Sequence, residues 1–231
     1  MTAPPFVLVA GHWLGSWAWD EVVLRLEAAG HPATALTLPG LSSVHTDRRG
    51  VRLADHVEQV LAAVHAAGPD VVLVAHSGAG RTVSAVLDQA PAAVSRVVYV
   101  DSGPASDGAV EELPPEMVEL PLPEWEQLEG SVEGLDEHQL AEFRRRAVPH
   151  PARVLTDPLR LSDERRHRVP TTLVACSFPA STVAELAASG HPMFAALTDL
   201  TDLGYVDLPT GHWPMWSRPE ALAEVLHASA G

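Results

Sequence analysis

A serine at the end of an apolar, β-branched run is the first residue that could do chemistry. In Val71-Val72-Leu73-Val74-Ala75-His76-Ser77-Gly78-Ala79-Gly80 a strand-like run meets a helical pattern, and Ser77 falls at the turn between them. The pattern is small-x-Ser-x-small, with Ala75 and Ala79 as the outer small residues, as in a nucleophile elbow. A serine at such a turn sits in a strained backbone conformation. Strand and helix approach closely there, so bulky neighbours would clash. The hydroxyl is then held clear of the sheet, and the Gly78 N–H is free to face a substrate oxygen. A serine that merely caps a helix has the same local pattern, so its partners must decide between the two readings.

An acyl-transfer serine needs a base, an acid that orients the base, and a second oxyanion donor. His212, in Gly211-His212-Trp213-Pro214, lies after the last strand-like run and before the last helical one. From that loop an imidazole reaches back across the strand ends to Ser77. The chain has 12 histidines, so this placement, not the residue type, singles His212 out. The loop Gly11-His12-Trp13-Leu14-Gly15-Ser16-Trp17 follows the first strand-like run. Glycine-rich turns leave N–H groups uncommitted, so the backbone of His12 pairs with that of Gly78 as the expected oxyanion donors; the role of the His12 imidazole stays open. Asp101, ending the fourth run, is a carboxylate placed to hold the His212 tautomer, although a turn-capping aspartate reads alike. Glu185, Asp199 and Asp202 are further candidates. Trp13, Trp125, Phe178, Met193 and Trp213 are candidates for an apolar substrate pocket. Cys176 reads as a small buried hydrophobe. No histidine or cysteine cluster has metal-ligand spacing and no phosphate-binding loop is present, so no metal and no cofactor are expected.

The elements that must position these residues alternate. Strand-like runs over 6–10, 32–37, 71–75, 96–101, 171–176 and 204–208 are short and Val-rich, as suits strands covered on both faces. Helical patterns over 17–29, 51–66, 78–89 and 219–228 lie between or after them. The rhythm predicts an α/β fold: a doubly wound, mostly parallel six-stranded sheet with helices on both sides. The segment 107–168 breaks the rhythm. It is rich in proline and acids and too long for an ordinary loop, so it reads as a helical lid insertion. It divides a core made of 1–106 and 169–231. It follows the fourth strand and so falls over the sheet edge where ligands bind, with Met117, Trp125 and Phe143 as its expected inward apolar residues.

Composition narrows the function classes. A hydrophobic fraction of 46% in 231 residues fits one compact domain. The net charge of −15 makes nucleic acid and anionic membrane surfaces poor partners. All 15 basic residues are arginine, which removes a lysine Schiff base and the phosphate-loop lysine. No apolar run approaches bilayer length and no signal segment is evident, and the single cysteine fits a reducing compartment, so a cytoplasmic location is expected. A homodimer is compatible with the sequence but not specified by it.

Three segments together resemble the α/β-hydrolase superfamily, in its small-lid branch of plant methylesterases, hydroxynitrile lyases and bacterial esterase-like proteins. They are Gly11-His12-Trp13-Leu14-Gly15-Ser16-Trp17-Ala18-Trp19, Ala75-His76-Ser77-Gly78-Ala79-Gly80 and Gly211-His212-Trp213-Pro214-Met215-Trp216. The resemblance spans nearly the whole chain and implies Ser77 as nucleophile, His212 as base, and His12 and Gly78 as N–H donors. It also shows departures. Ala10 replaces a usual histidine, and alanines replace the outer elbow glycines. The usual acid position after the fifth strand reads Cys176-Ser177-Phe178-Pro179-Ala180-Ser181, without a carboxylate. This moves the acid to Asp101, as in members that place it one strand earlier. The implied function is hydrolysis of a small, largely apolar ester or lactone through an acyl-enzyme. A lyase or cyclase on the same scaffold and a receptor-like binding protein are the competing readings. The plant hydroxynitrile lyase type is disfavoured, because its threonine is Gly11 here and its lysine has no counterpart. Ser77 in place of an elbow aspartate disfavours haloalkane dehalogenase and epoxide hydrolase chemistry.

Overall fold

The computed structural model describes residues 3–128 and 130–231. Its strands are β1 (Phe6–Val9), β2 (Ala33–Leu36), β3 (Val71–His76), β4 (Val94–Val100), β5 (Glu119–Leu120), β6 (His150–Pro151), β7 (Thr171–Ala175) and β8 (Leu203–Asp207). The helices are α1 (Asp20–Ala28), α2 (Leu53–Ala67), α3 (Ala79–Gln89), α4 (Glu137–Arg146), α5 (Ala152–Thr156), α6 (Ala180–Ala188), α7 (Pro214–Ser217) and α8 (Pro219–Ser229). Six strands form one sheet in the order β2-β1-β3-β4-β7-β8, and every neighbouring pair is parallel. The expected six-stranded α/β architecture is therefore present. Among the described residues no helix is long and apolar enough to cross a membrane.

The sheet is covered on both faces, which explains its near-continuous apolar strands. Val7, Val9 and Leu73 pack toward Val57, Val60, Val83 and Val86 of α2 and α3. Phe6, Leu8 and Val74 pack on the other face toward Val22, Leu26, Leu222 and Leu226 of α1 and α8. Each such fully buried side chain contributes roughly 1.5–3 kcal/mol. The strand order turns back at β1 and β3, the switch point where crevices form at the strand ends. Register then brings the chemistry together. Val9 is level with Ala75, His76 with Val100, and Val100 with Val174, so the loops leaving β1, β3, β4 and β7 converge at one edge.

Between β4 and β7 the chain forms α4, α5 and a small antiparallel ribbon of β5 and β6. This stretch is fastened to the loops after β1 and β8 and to α3. Trp13 donates from Nε1 to the Leu120 oxygen at 3.0 Å, and Val148 N–H donates to the Trp13 oxygen at 2.9 Å. The N–H groups of Gly211 and His212 donate to the oxygens of Glu133 and Ser131 at 3.2 and 2.7 Å. Arg81, in the first turn of α3, donates to the carbonyl oxygens of Val154, Ala109 and Asp157.

Candidate active site

Ser77 lies immediately after β3 and has a left-handed backbone, φ +54°. Asp101, just past β4, and Trp13, in the β1 loop, share that conformation, at +42° and +66°. Among the described residues the one other non-glycine residue of this kind is Asp70. Three strained backbones at one sheet edge mark a place where geometry is fixed at some cost in stability.

The side chains of Ser77, His212 and Asp101 form a continuous chain. Ser77 Oγ lies 2.7 Å from His212 Nε2, and His212 Nδ1 lies 2.5 Å from Asp101 Oδ2. With Nδ1–H donating to the carboxylate, Nε2 is left as the acceptor of the serine proton. Asp101 is held in turn by the residues just after β7. Its Oδ1 accepts from the N–H groups of Cys176 and Ser177 at 3.1 and 2.9 Å, and its Oδ2 accepts from Ser177 Oγ at 2.6 Å. Burial works to raise the Asp101 carboxyl, but the hydrogen bond and charge of His212 and the donors of Ser177 outweigh it and hold the group down at about 2. The position that lacks a carboxylate thus supplies the donors that fix the carboxylate next door. Glu185, Asp199 and Asp202 take no part in this chain. Cys176 is buried, and burial pushes its thiol up, away from a reactive thiolate.

On the other side of Ser77 the loop after β1 presses against the elbow. A Cβ on Gly11 would stand 2.6 Å from Ser77 Cβ, and one on Gly78 would stand 2.0 Å from His12 Nε2, so both approaches require glycine. Neither the His12 N–H nor the Gly78 N–H finds an acceptor among the described residues, as two oxyanion donors would require. The His12 imidazole heads a buried row. Its ring centroid is 4.6 Å from that of His150, which is 5.7 Å from that of His56. Burial pushes His12 and His56 down to about 4 and His150 well below its usual range, so the row is uncharged at neutral pH.

A family model described as "Alpha/beta hydrolase family" matches residues 6–225. The chain belongs to the α/β hydrolase family. Among curated relatives, a carbendazim-hydrolysing esterase from Nocardioides sp. (strain SG-4G) is 33% identical over 99 residues, 42% of this chain and 41% of that one. Methylesterase 7 of Arabidopsis thaliana is 37% identical over 99 residues, 41% and 38% of the two chains. The matched stretch thus covers about two fifths of each relative. Likeness of fold extends much further. An extracellular α/β-hydrolase from a Paenibacillus species superposes with a TM-score of 0.78 at 20% identity, covering 98% of both chains. An Arabidopsis methylesterase gives 0.74 at 20% identity, covering 96% of this chain and 97% of that one.

The cleft of this α/β hydrolase has a volume of about 890 Å³. Ser77, Gly78, Asp101, His212, His12, Trp13, Phe178, Met193 and Trp213 all line it. Trp125 does not, and neither do Met117 and Phe143. Trp125 packs instead on Phe143, at 5.4 Å between centroids, beneath the Arg144 guanidinium, and Phe143 is buried against Trp213 and Trp216. These aromatics glue the insertion to the core, while its cleft-facing residues include Val110, Glu111, Leu128 and Glu133. Among the described residues no group of three His, Cys, Asp or Glu side chains is arranged to hold a metal.

Three residues escaped the sequence reading. His76 is fully buried, accepts from Gly11 N–H at 3.3 Å on Nδ1, and donates from Nε2 to the His212 oxygen at 2.7 Å. It ties the β1 loop to the His212 loop, and burial holds it uncharged, at about 3. Its place beside Ser77 was the available signal. Arg81 and Glu111, also on the cleft wall, carried no motif.

Proposed function

We propose that the protein is a serine hydrolase that cleaves a small, largely apolar carboxylic ester or lactone through an acyl-enzyme on Ser77. The observation that carries this reading is the unbroken chain from Asp101 through His212 to the hydroxyl of a strained serine. Ser77 Oγ attacks the carbonyl carbon as its proton passes to His212 Nε2, and Asp101 steadies the imidazolium. The oxyanion forms between the N–H groups of His12 and Gly78. Its collapse breaks the ester C–O bond, and His212 hands the proton to the leaving alkoxide. Water then attacks the acyl-enzyme and gives a proton to His212. The second tetrahedral intermediate expels Ser77 Oγ, which takes that proton back as the acid departs. Leu173, Ala175, Phe178, Val183, Met193 and Phe194 supply an apolar wall for the substrate. The names of the esterase and methylesterase relatives support the same class.

Labelling with a fluorophosphonate probe and turnover of short p-nitrophenyl esters test this. The wild type should label and turn over, and Ser77→Ala should do neither, with kcat lower on the order of 10⁶-fold. Hydrolysis surviving in Ser77→Ala would overturn the covalent step. Labelling without turnover would favour a lyase, a cyclase or a receptor-like binding protein.

A further inference from the structure

The oxyanion side of the cleft carries two polar groups that the acyl-transfer reading leaves idle. His12 Nε2 is buried and, among the described residues, has no hydrogen-bond partner. The nearest carboxylate, Glu111 Oε1, stands 4.0 Å away, too far for a direct bond. Two bonds of about 2.8 Å through one intervening oxygen would span such a gap. Attraction of opposite charges does not account for the approach, because burial keeps the imidazole neutral. Glu111 comes from the insertion, its side chain is 46% exposed, and the hydrogen bonds that fix its neighbourhood are backbone ones. Its own N–H donates to the Leu155 oxygen, and the Ala109 oxygen two residues earlier accepts from Arg81. The carboxylate is thus carried on a fastened backbone but is able to pivot about its own side-chain bonds.

We infer that His12 and Glu111 form a subsite for a hydroxyl group of the substrate, which accepts from His12 Nε2–H and donates to the Glu111 carboxylate. The inference rests on the ester-hydrolase reading and adds to it the class of substrate. The His12 ring lies against Gly78, whose N–H faces the developing oxyanion. A hydroxyl between the two groups therefore belongs on a carbon close to the reacting carbonyl. The preferred substrates are esters or lactones of 2-hydroxy or 3-hydroxy acids, with an otherwise apolar body against Phe178, Val183 and Phe194. A neutral imidazole suits this better than a charged one, since it offers a single donor without attracting an anionic group into the cleft.

The test compares methyl 2-hydroxybutanoate, methyl 3-hydroxybutanoate and methyl butanoate as substrates, reading kcat/KM by acid release. One hydroxy ester should exceed methyl butanoate by roughly 10- to 100-fold, as expected for a hydrogen bond to a charged acceptor. That ratio should fall toward one in Glu111→Leu, which alters an exposed side chain, and in His12→Phe. Reading the ratio cancels any general loss caused by disturbing the β1 loop. A ratio near one in the wild type, or one that persists in both variants, overturns the subsite and leaves ester hydrolysis standing. Hydrolysis of none of the three overturns the subsite, and the ester-hydrolase reading falls with it only if the p-nitrophenyl esters are left intact as well.

Discussion

On one flank of Ser77 every polar atom is matched: His212 between serine and carboxylate, and Asp101 between His212 and three donors of Cys176 and Ser177. On the other flank two N–H groups and one imidazole nitrogen face no acceptor among the described residues, and a carboxylate stands just out of bonding range. A fully satisfied network is rigid before anything binds, as the proton-moving half of a hydrolase must be. An unsatisfied one costs stability until a ligand completes it. On the proposed mechanism the two flanks divide the work, one to act and the other to recognise.

The contrast breaks most visibly at Asp101. Asp101→Asn keeps the shape but offers His212 Nδ1 the wrong partner, and kcat should fall about 10⁴-fold. Steady-state kinetics check this, and a loss of only tenfold would mean that a group other than the Asp101 carboxylate orients the base. On the other flank, Gly78→Ala drives a methyl into the His12 ring and displaces a proposed oxyanion donor. A loss of about 10²- to 10³-fold in kcat is expected. Wild-type kcat in this variant would show that the ring yields freely and that the flank is not packed as described.

Acid separates the flanks more gently. Histidines held below their usual range leave the unfolded chain with more bound protons, so stability is full above about pH 6.5 and falls as pH drops toward 4. The depressed Asp101 acts later, its contribution present above 3.8 and lost as pH falls toward about 2. Urea unfolding between pH 6 and 5 should therefore show a loss approaching about 1.4 kcal/mol per pH unit for each histidine so depressed, His12 and His56 among them. His56→Gln, which retains a donor for the Pro39 oxygen, should flatten that slope by one histidine's share. An unchanged slope would place the acid sensitivity elsewhere.

What the sequence made legible was whatever depends on position along a strand. Ser77, Asp101 and His212 each follow a strand-like run, and a parallel sheet brings such residues to one edge whatever the side chains between them. The placement of Asp101 beside His212 was readable for the same reason, helped by the absence of a carboxylate at 176–181. Contacts made across the fold were not readable. His76 finds its partners 65 and 136 positions away, and no local pattern encodes that pairing. Trp125 failed as a pocket residue because an aromatic on an insertion has two apolar surfaces to choose from. Phe143 and Arg144 offered it the drier one. Glu111 belongs to a stretch whose shape is set by Arg81 and Leu155, residues remote in sequence.

The backbone bonds from Gly211 and His212 to Glu133 and Ser131 couple the insertion to the base itself. Lifting that stretch of the insertion away from the core removes the acceptors that hold the histidine loop. A displacement of that stretch would therefore loosen the base together with the insertion. Phe178 and Met193, which line the same cleft, stand 49% and 66% exposed, so its apolar end reaches solvent without that stretch being lifted.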